Sequence, residues 1–137
     1  MNRHQSLVEQ FHAAFKAPIG LAPSVDVTPE LKELRIELIR EELKELQDAL
    51  DACDVVETAD ALGDLLFVVY GAGVCFGIDL GPVFEEIAAS NMSKLDTNGE
   101  PIFRFDGKVL KGPNYWKPNL ASILAAQAED ALDLSAA

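Results

Sequence analysis

The sequence predicts an all-α protein, a helical bundle with one small β-hairpin near its C-terminal end. Apolar residues recur at helical spacing through most of the 137 residues. Helix start and stop signals fall between the periodic stretches. Strand-like pattern is confined to PIFRF and KVLKG, on either side of the turn pair Asp106-Gly107.

In order, the first helix covers residues 4 to 16, where Leu7, Val8, Phe11 and Phe15 share one face. APIGLAPSVDV, with two prolines and a glycine, reads as a loop. Thr28-Pro29-Glu30 starts the second helix with a capping hydroxyl, a proline at the first helical position and an acid for the dipole. That helix runs to about residue 50, and Asp51 to Asp54 supply turn and capping chemistry. The third helix, about 55 to 76, is nearly all apolar and ends near Gly77. Gly81-Pro82 opens a fourth, to about Ser90, and 119 to 133 form an alanine-rich fifth. GPNYWKP between hairpin and last helix is loop.

The length suits a single domain, 1–137, and 49% hydrophobic residues suffice for a core. No run of 18 uninterrupted apolar residues occurs, so no membrane span is expected. The opening MNRHQSLVEQFHAAF lacks a signal-peptide apolar block, and a cytoplasmic location is the default expectation. Cys53 and Cys75 have no CxxC partner and read as buried free thiols. A formal charge of −12 disfavours nucleic acid polymers and anionic membranes as partners. Between Glu45 and Lys94 there is no Lys or Arg, and then Lys94, Arg104, Lys108, Lys111 and Lys117 follow closely. An acidic centre followed by a basic segment suits a metal ion together with an anionic ligand.

A helix apolar on every side must be covered on every side, so the third helix is expected to pack against its copy in a homodimer. Gly71 and Gly73 inside it would each cost about 1 kcal/mol relative to Ala, and close helix–helix approach compensates.

Wheels of the second and third helices expose a conflict. With Leu31 at zero, Leu34 to Leu50 fill an apolar arc, yet Glu42 falls at about 20° and Glu45 at about −40°, inside it. Glu41 sits at the edge. On the third helix Glu57, Asp60 and Asp64, spaced by three and four, form one stripe about 60° wide. Carboxylates gathered on apolar arcs must be protonated, paired or bound to a cation. Arg35 could pair with one or two of them but not all. A hard divalent ion, Mg²⁺ or Mn²⁺, takes such oxygen ligands. A di-iron bundle would want Glu-x-x-His on two helices. The only histidines, His4 and His12, lie in the first segment and read as surface or satisfied core.

Glu41-Glu42-Leu43-Lys44-Glu45 followed by Glu57-Thr58-Ala59-Asp60 is an EExxE then ExxD pairing. It resembles the all-α nucleoside triphosphate pyrophosphatases, which include MazG-like enzymes, dimeric dUTPases, dCTP pyrophosphatases and phosphoribosyl-ATP pyrophosphohydrolases. SNMSKLDTNGEP and DGKVLKGPNYWKP look like the C-terminal part of a MazG-like dUTP pyrophosphatase branch, and the likeness runs from about residue 29 to 119. The resemblance implies a four-helix core per active unit, built by a dimer. It implies cleavage between the α- and β-phosphates of a nucleotide, with dUTP giving dUMP and pyrophosphate. Glu42, Glu45, Glu57, Asp60 and Asp64 would hold two or more Mg²⁺ or Mn²⁺ ions, with Glu41, Glu42 and Glu45 as catalytic carboxylates. Asn91 and Lys94, placed three apart on one helical face, would contact the substrate together with Lys108, Lys111 and Tyr115. The alternatives are dCTP or another nucleotide as substrate, or a non-catalytic, metal-dependent helical dimerisation module.

Overall fold

A computed structural model describes residues 1–137 and contains five helices: α1 (Arg3–Phe15), α2 (Pro29–Asp51), α3 (Val55–Cys75), α4 (Leu80–Met92) and α5 (Leu120–Ala136). The all-α expectation holds, with boundaries within a few residues of those read from the sequence. Two compact units divide the chain: Met1–Leu80 with Gln127–Ala137, and Gly81–Ala126.

In the first unit α3 packs against both α1 and α2. The caps are the residues that sequence chemistry favours. Thr28 Oγ1 accepts from Leu31 N at 3.2 Å, and Asp54 Oδ1 accepts from Val56 N at 3.0 Å and Glu57 N at 3.1 Å. The α2–α3 connection is tight for an identifiable reason. Cys53 adopts φ 54°, its N–H returns to Leu50 O at 3.0 Å, and Asp54 N returns to Ala49 O at 3.0 Å. This closes α2 in a Schellman motif whose last residue is already the cap of α3. The two helices therefore run antiparallel from a fixed corner, with Ala49 and Ala61 buried between them.

At the other end of α3, Gly77 (φ 64°) takes the left-handed position, and the 17–28 loop crosses over it. Gly20 N donates to Val74 O at 2.8 Å and Ser24 N to Phe76 O at 2.9 Å. A Cβ on Gly20 would lie 2.4 Å from Gly77 N, so only glycine permits this backbone crossing. Buried Gln5 braces the same corner, donating to Ile78 O at 2.7 Å and accepting from Leu80 N at 2.9 Å. Gln127 of α5 brackets Asp79, accepting from its N–H and donating to its carbonyl, both at 3.0 Å.

The core is thin for so apolar a chain. Its buried hydrophobic residues are Val8, Ala49, Ala61, Val74 and Cys75. Leu7, Phe15, Leu34, Leu43, Leu62 and Leu66 stay at least 47% exposed. By length and composition α3 is apolar enough to cross a bilayer, although Glu57, Asp60 and Asp64 stripe it. Cys75 is buried as expected, whereas Cys53 is exposed on the α2–α3 turn.

In the second unit, the expected hairpin is reduced to one antiparallel bridge, Phe103 with Val109. Arg104 N donates to Lys108 O at 2.8 Å, and Gly107 N donates to Arg104 O at 2.9 Å with Gly107 at φ 86°. The loop is thus three residues, Phe105 to Gly107, ending in a left-handed glycine, rather than the two-residue turn expected. The extra residue and the short flanks leave no strand pair.

Candidate functional site

All six acids singled out in the sequence belong to the first unit. Its share of the charge is decisive. Gly81–Ala126 holds five basic residues (Lys94, Arg104, Lys108, Lys111, Lys117) and five acidic ones (Glu85, Glu86, Asp96, Glu100, Asp106). The remaining six basic and eighteen acidic residues, and hence the whole formal charge of −12, lie in the unit that carries α1, α2 and α3.

Between the last turns of α2 and the first turns of α3 lies a groove of about 430 Å³. Its floor is Ala49 and Ala61, and its walls carry Glu45, Asp48, Asp54, Glu57 and Asp60. The alanines are what open it, since larger residues at this crossing would fill the space. Asp48 and Asp54 were not among the sequence-read candidates, and both have other partners. Lys44 Nζ reaches Asp48 at 2.8 Å, and Asp54 caps α3. The signals were present in the sequence: a lysine one turn before Asp48, and the capping position of Asp54.

Glu41, Glu42, Glu45, Glu57, Asp60 and Asp64 differ from these two. None of them forms an ion pair or a side-chain hydrogen bond. Glu42 is half-buried, and its Oε2 is shut off from solvent without a donor. Burial, then the charges of Glu45, Asp64, Glu41 and Asp60, push the Glu42 carboxyl above the usual glutamate range. Glu42 of α2 thus lies within electrostatic reach of Asp60 and Asp64 of α3. The donor set is all oxygen and the buried Oε2 lacks a positive partner, which suits a hard divalent cation. In this conformation no three of these carboxylates converge on a common point. Glu45, Glu57, Asp60 and Asp64 are exposed, and their side chains are free to re-aim.

Arg35 corrects an expectation. It pairs with none of the acids. It turns instead to His12 Nε2 (3.5 Å) and Cys75 Sγ (3.6 Å), beside Gly71. His12 is a satisfied core residue, its Nδ1 lying 2.8 Å from Pro18 O. His4 is exposed and stacks on Tyr70 at 6.4 Å.

The substrate-contact candidates lie in the second unit. Asn91 is in the last turn of α4, but Lys94 falls after the helix end at Met92, in a turn where its N–H bonds Asn91 O at 3.2 Å. The two therefore do not share a helical face. Lys94 O accepts from Gly112 N at 2.8 Å, and a Cβ on Gly112 would lie 2.5 Å from Leu95 O, so this glycine docks the 112–119 loop onto the end of α4. Buried Ser90 reinforces it by donating to Trp116 O at 2.8 Å. Lys111 Nζ sits 4.5 Å from the centre of the Tyr115 ring, a cation–π pair. Lys108 follows the 105–107 turn and is exposed.

Comparison with known proteins extends these observations. An uncharacterized protein of Acanthamoeba polyphaga mimivirus is 43% identical over 76 residues, which cover 53% of this chain and 30% of that protein. A solved structure of a candidate NTP pyrophosphohydrolase from Exiguobacterium sp. 255-15 aligns over 98% of both chains, at 24% identity and a TM-score of 0.48. Residues 8–91, which include α2, α3 and every acid of the groove, match the family model described as phosphoribosyl-ATP pyrophosphohydrolase. The chain belongs to the phosphoribosyl-ATP pyrophosphohydrolase family.

Proposed function

We propose that this chain is a divalent-metal-dependent nucleoside triphosphate pyrophosphohydrolase that cleaves between the α- and β-phosphates, with dUTP as its substrate. Family membership supports the pyrophosphohydrolase reaction. The observation that carries the metal reading is Glu42, half-buried with an orphaned oxygen among four other unpaired acids. Glu42, Glu45, Glu57, Asp60 and Asp64 would hold the ions, Mg²⁺ or Mn²⁺, two or more per site. Bound there, the ions would neutralise the phosphates and polarise the attacked phosphorus. Glu41, exposed at the rim of the acid set, or one of the metal ligands doubling up, would take the proton of the attacking water.

The choice of dUTP rests on the SNMSKLDTNGEP and DGKVLKGPNYWKP stretches. Asn91, Lys94, Lys108, Lys111 and Tyr115 are proposed substrate contacts on the same ground, and dCTP is the nearest rival substrate. The thin core and the exposed apolar faces of α1 and α3 support a homodimer.

A panel of deoxynucleoside triphosphates assayed with Mg²⁺ or Mn²⁺ tests the reading. Pyrophosphate with the monophosphate is the expected product pair, fastest from dUTP. Orthophosphate without pyrophosphate overturns the bond assignment. Glu45→Ala and Asp60→Ala should abolish turnover while helicity is preserved, and wild-type activity in either removes the metal site. A non-catalytic dimerisation module predicts no metal-dependent nucleotide binding in calorimetry.

A further inference from the structure

The guanidinium of Arg35 sits in a place that stability alone does not favour. Its Nη1 donates toward His12 Nε2 at 3.5 Å and Cys75 Sγ at 3.6 Å, both neutral acceptors at long range. Its Nε is sealed from solvent and bonds nothing, and no carboxylate pairs with it. Arg35 is part-buried, and holding a guanidinium there with an unbonded Nε is costly, so an apolar side chain of similar volume can be neutral or stabilising in its place. Yet the surroundings are shaped to receive it. A Cβ on Gly71 would lie 2.8 Å from Arg35 Nη1 and 3.2 Å from His12 Nε2, so glycine leaves the space that the guanidinium occupies. The tautomer of His12 is also fixed. Pro18 O can only accept, so Nδ1 at 2.8 Å carries the proton, and bare Nε2 faces Arg35. The Cys75 thiol donates to the same carbonyl at 3.5 Å, leaving sulfur lone pairs for Arg35.

The position of this cluster gives it a use. Arg35 precedes Glu42 by seven residues on α2, and Gly71 follows Asp64 by seven on α3. Seven residues are about two turns in each helix. In an antiparallel pair, the Arg35–Gly71 level and the Glu42–Asp64 level are therefore two rungs of one ladder. A slide or rotation of α2 that moved one rung would move the other. We propose that Arg35 is a positioning residue: wedged between His12 of α1 and Gly71 and Cys75 of α3, it sets the register of α2 that holds Glu42 opposite Asp64. The proposal rests on the reading of those acids as metal-holding groups. It explains why a guanidinium with an unbonded Nε stands at this crossing.

The test compares wild type, Arg35→Met, Arg35→Lys, Gly71→Ala and the double variant Arg35→Met with Gly71→Ala by two readouts, the Mg²⁺ concentration for half-maximal turnover and the melting temperature without and with Mg²⁺. Arg35→Met should raise the Mg²⁺ midpoint about tenfold or more, as outer supports of metal ligands commonly do. Its kcat at saturating Mg²⁺ should stay within about threefold of wild type, and its metal-free melting temperature should be unchanged or higher. Gly71→Ala, which evicts the guanidinium, should shift the midpoint in the same direction. The pair Arg35→Met with Gly71→Ala should be no worse than Arg35→Met alone, because both remove one wedge. Arg35→Lys, which lacks the planar fork, should fall between. A wild-type Mg²⁺ midpoint in Arg35→Met and Gly71→Ala overturns the proposal and leaves the metal reading standing. Loss of metal-free stability with no change in midpoint also overturns it. Should Arg35→Met fail to fold, Gly71→Ala and Arg35→Lys decide on the same midpoint criterion. A wild-type protein with neither Mg²⁺-dependent turnover nor a Mg²⁺-induced melting shift overturns the metal reading, and the positioning role with it.

Discussion

Glu42 of α2 lies within electrostatic reach of Asp64 of α3, and no basic side chain pairs with either. Two helices that could have met through hydrocarbon at this level meet instead through like charges. Stability is lower for it, as is usual where a fold keeps a site ready for a ligand. The Schellman turn at Cys53 and the Arg35 crossing lie on either side of this level and hold it in place against the repulsion.

Glu42→Gln should therefore stabilise the metal-free protein at neutral pH. The Glu42 carboxyl sits above its ordinary value of 4.5 because burial, and then Glu45, Asp64, Glu41 and Asp60, disfavour its charge. A raised folded-state value means that the wild type keeps this contribution below pH 4.5 and loses it as pH rises through the raised value. The gain in Glu42→Gln should be on the order of 1 kcal/mol near pH 7, roughly 3–5 °C in melting temperature. It should vanish on acidification. Thermal melts of both proteins from pH 4 to 8 check this, and an advantage that grows toward low pH would refute the account.

Divalent cation should reverse the order. Wild type should gain stability on titration with Mg²⁺ or Mn²⁺, about 2.7 kcal/mol at a hundredfold excess over Kd, read as a rise in melting temperature. Glu42→Gln should gain little, so the two curves cross. Parallel gains in both proteins would place the ion elsewhere.

Much of this was legible before any coordinates. Thr28, Pro29 and Asp54 announced helix starts because caps are local chemistry, and the wheels put Glu42 and Glu45 inside one apolar arc and Glu57, Asp60 and Asp64 in one stripe because helical period is local too. Arg35 was misread for the opposite reason. Its partner is chosen by which helix crosses it, and no pattern in α2 says that His12 and Gly71 stand there. The hairpin was over-read because Asp106-Gly107 suits both two- and three-residue loops, and the flanks decide between them. Lys94 was placed on a helix that ends two residues earlier.

Cys53 offers a clean backbone test. It holds φ 54°, a left-handed value that costs an ordinary side chain about 1 kcal/mol. Cys53→Gly should be neutral to stabilising by up to about 1 kcal/mol, since relief of that strain offsets glycine's greater unfolded-state freedom. Cys53→Val should destabilise by about 1–2 kcal/mol, because a β-branched residue tolerates this region worst. Chemical denaturation measures both. Equal stability of the two variants would mean that the α2–α3 corner is not held in this conformation.

Gly63 decides what covers the apolar face of α1 and α3. It lines a groove of about 430 Å³ with His4, Leu7, Val8, Leu66, Phe67 and Tyr70. A Cβ added to it meets nothing within 4 Å. In an isolated chain, Gly63→Ala should therefore stabilise α3 by about 1 kcal/mol, the ordinary helix-interior difference. If a second copy packs into the groove, the same methyl group intrudes on a helix–helix interface and weakens it. The homodimer reading predicts the second outcome. Sedimentation should show Gly63→Ala dissociating at higher protein concentration than wild type, and Leu66→Glu dissociating further, because a carboxylate at a 59% exposed leucine costs a monomer little but an apolar interface much. Lower stability of the assembly with unchanged helicity supports the dimer. A stabilised Gly63→Ala with the oligomeric state of wild type would leave this face open to solvent and require another explanation for its Leu7, Leu62 and Leu66.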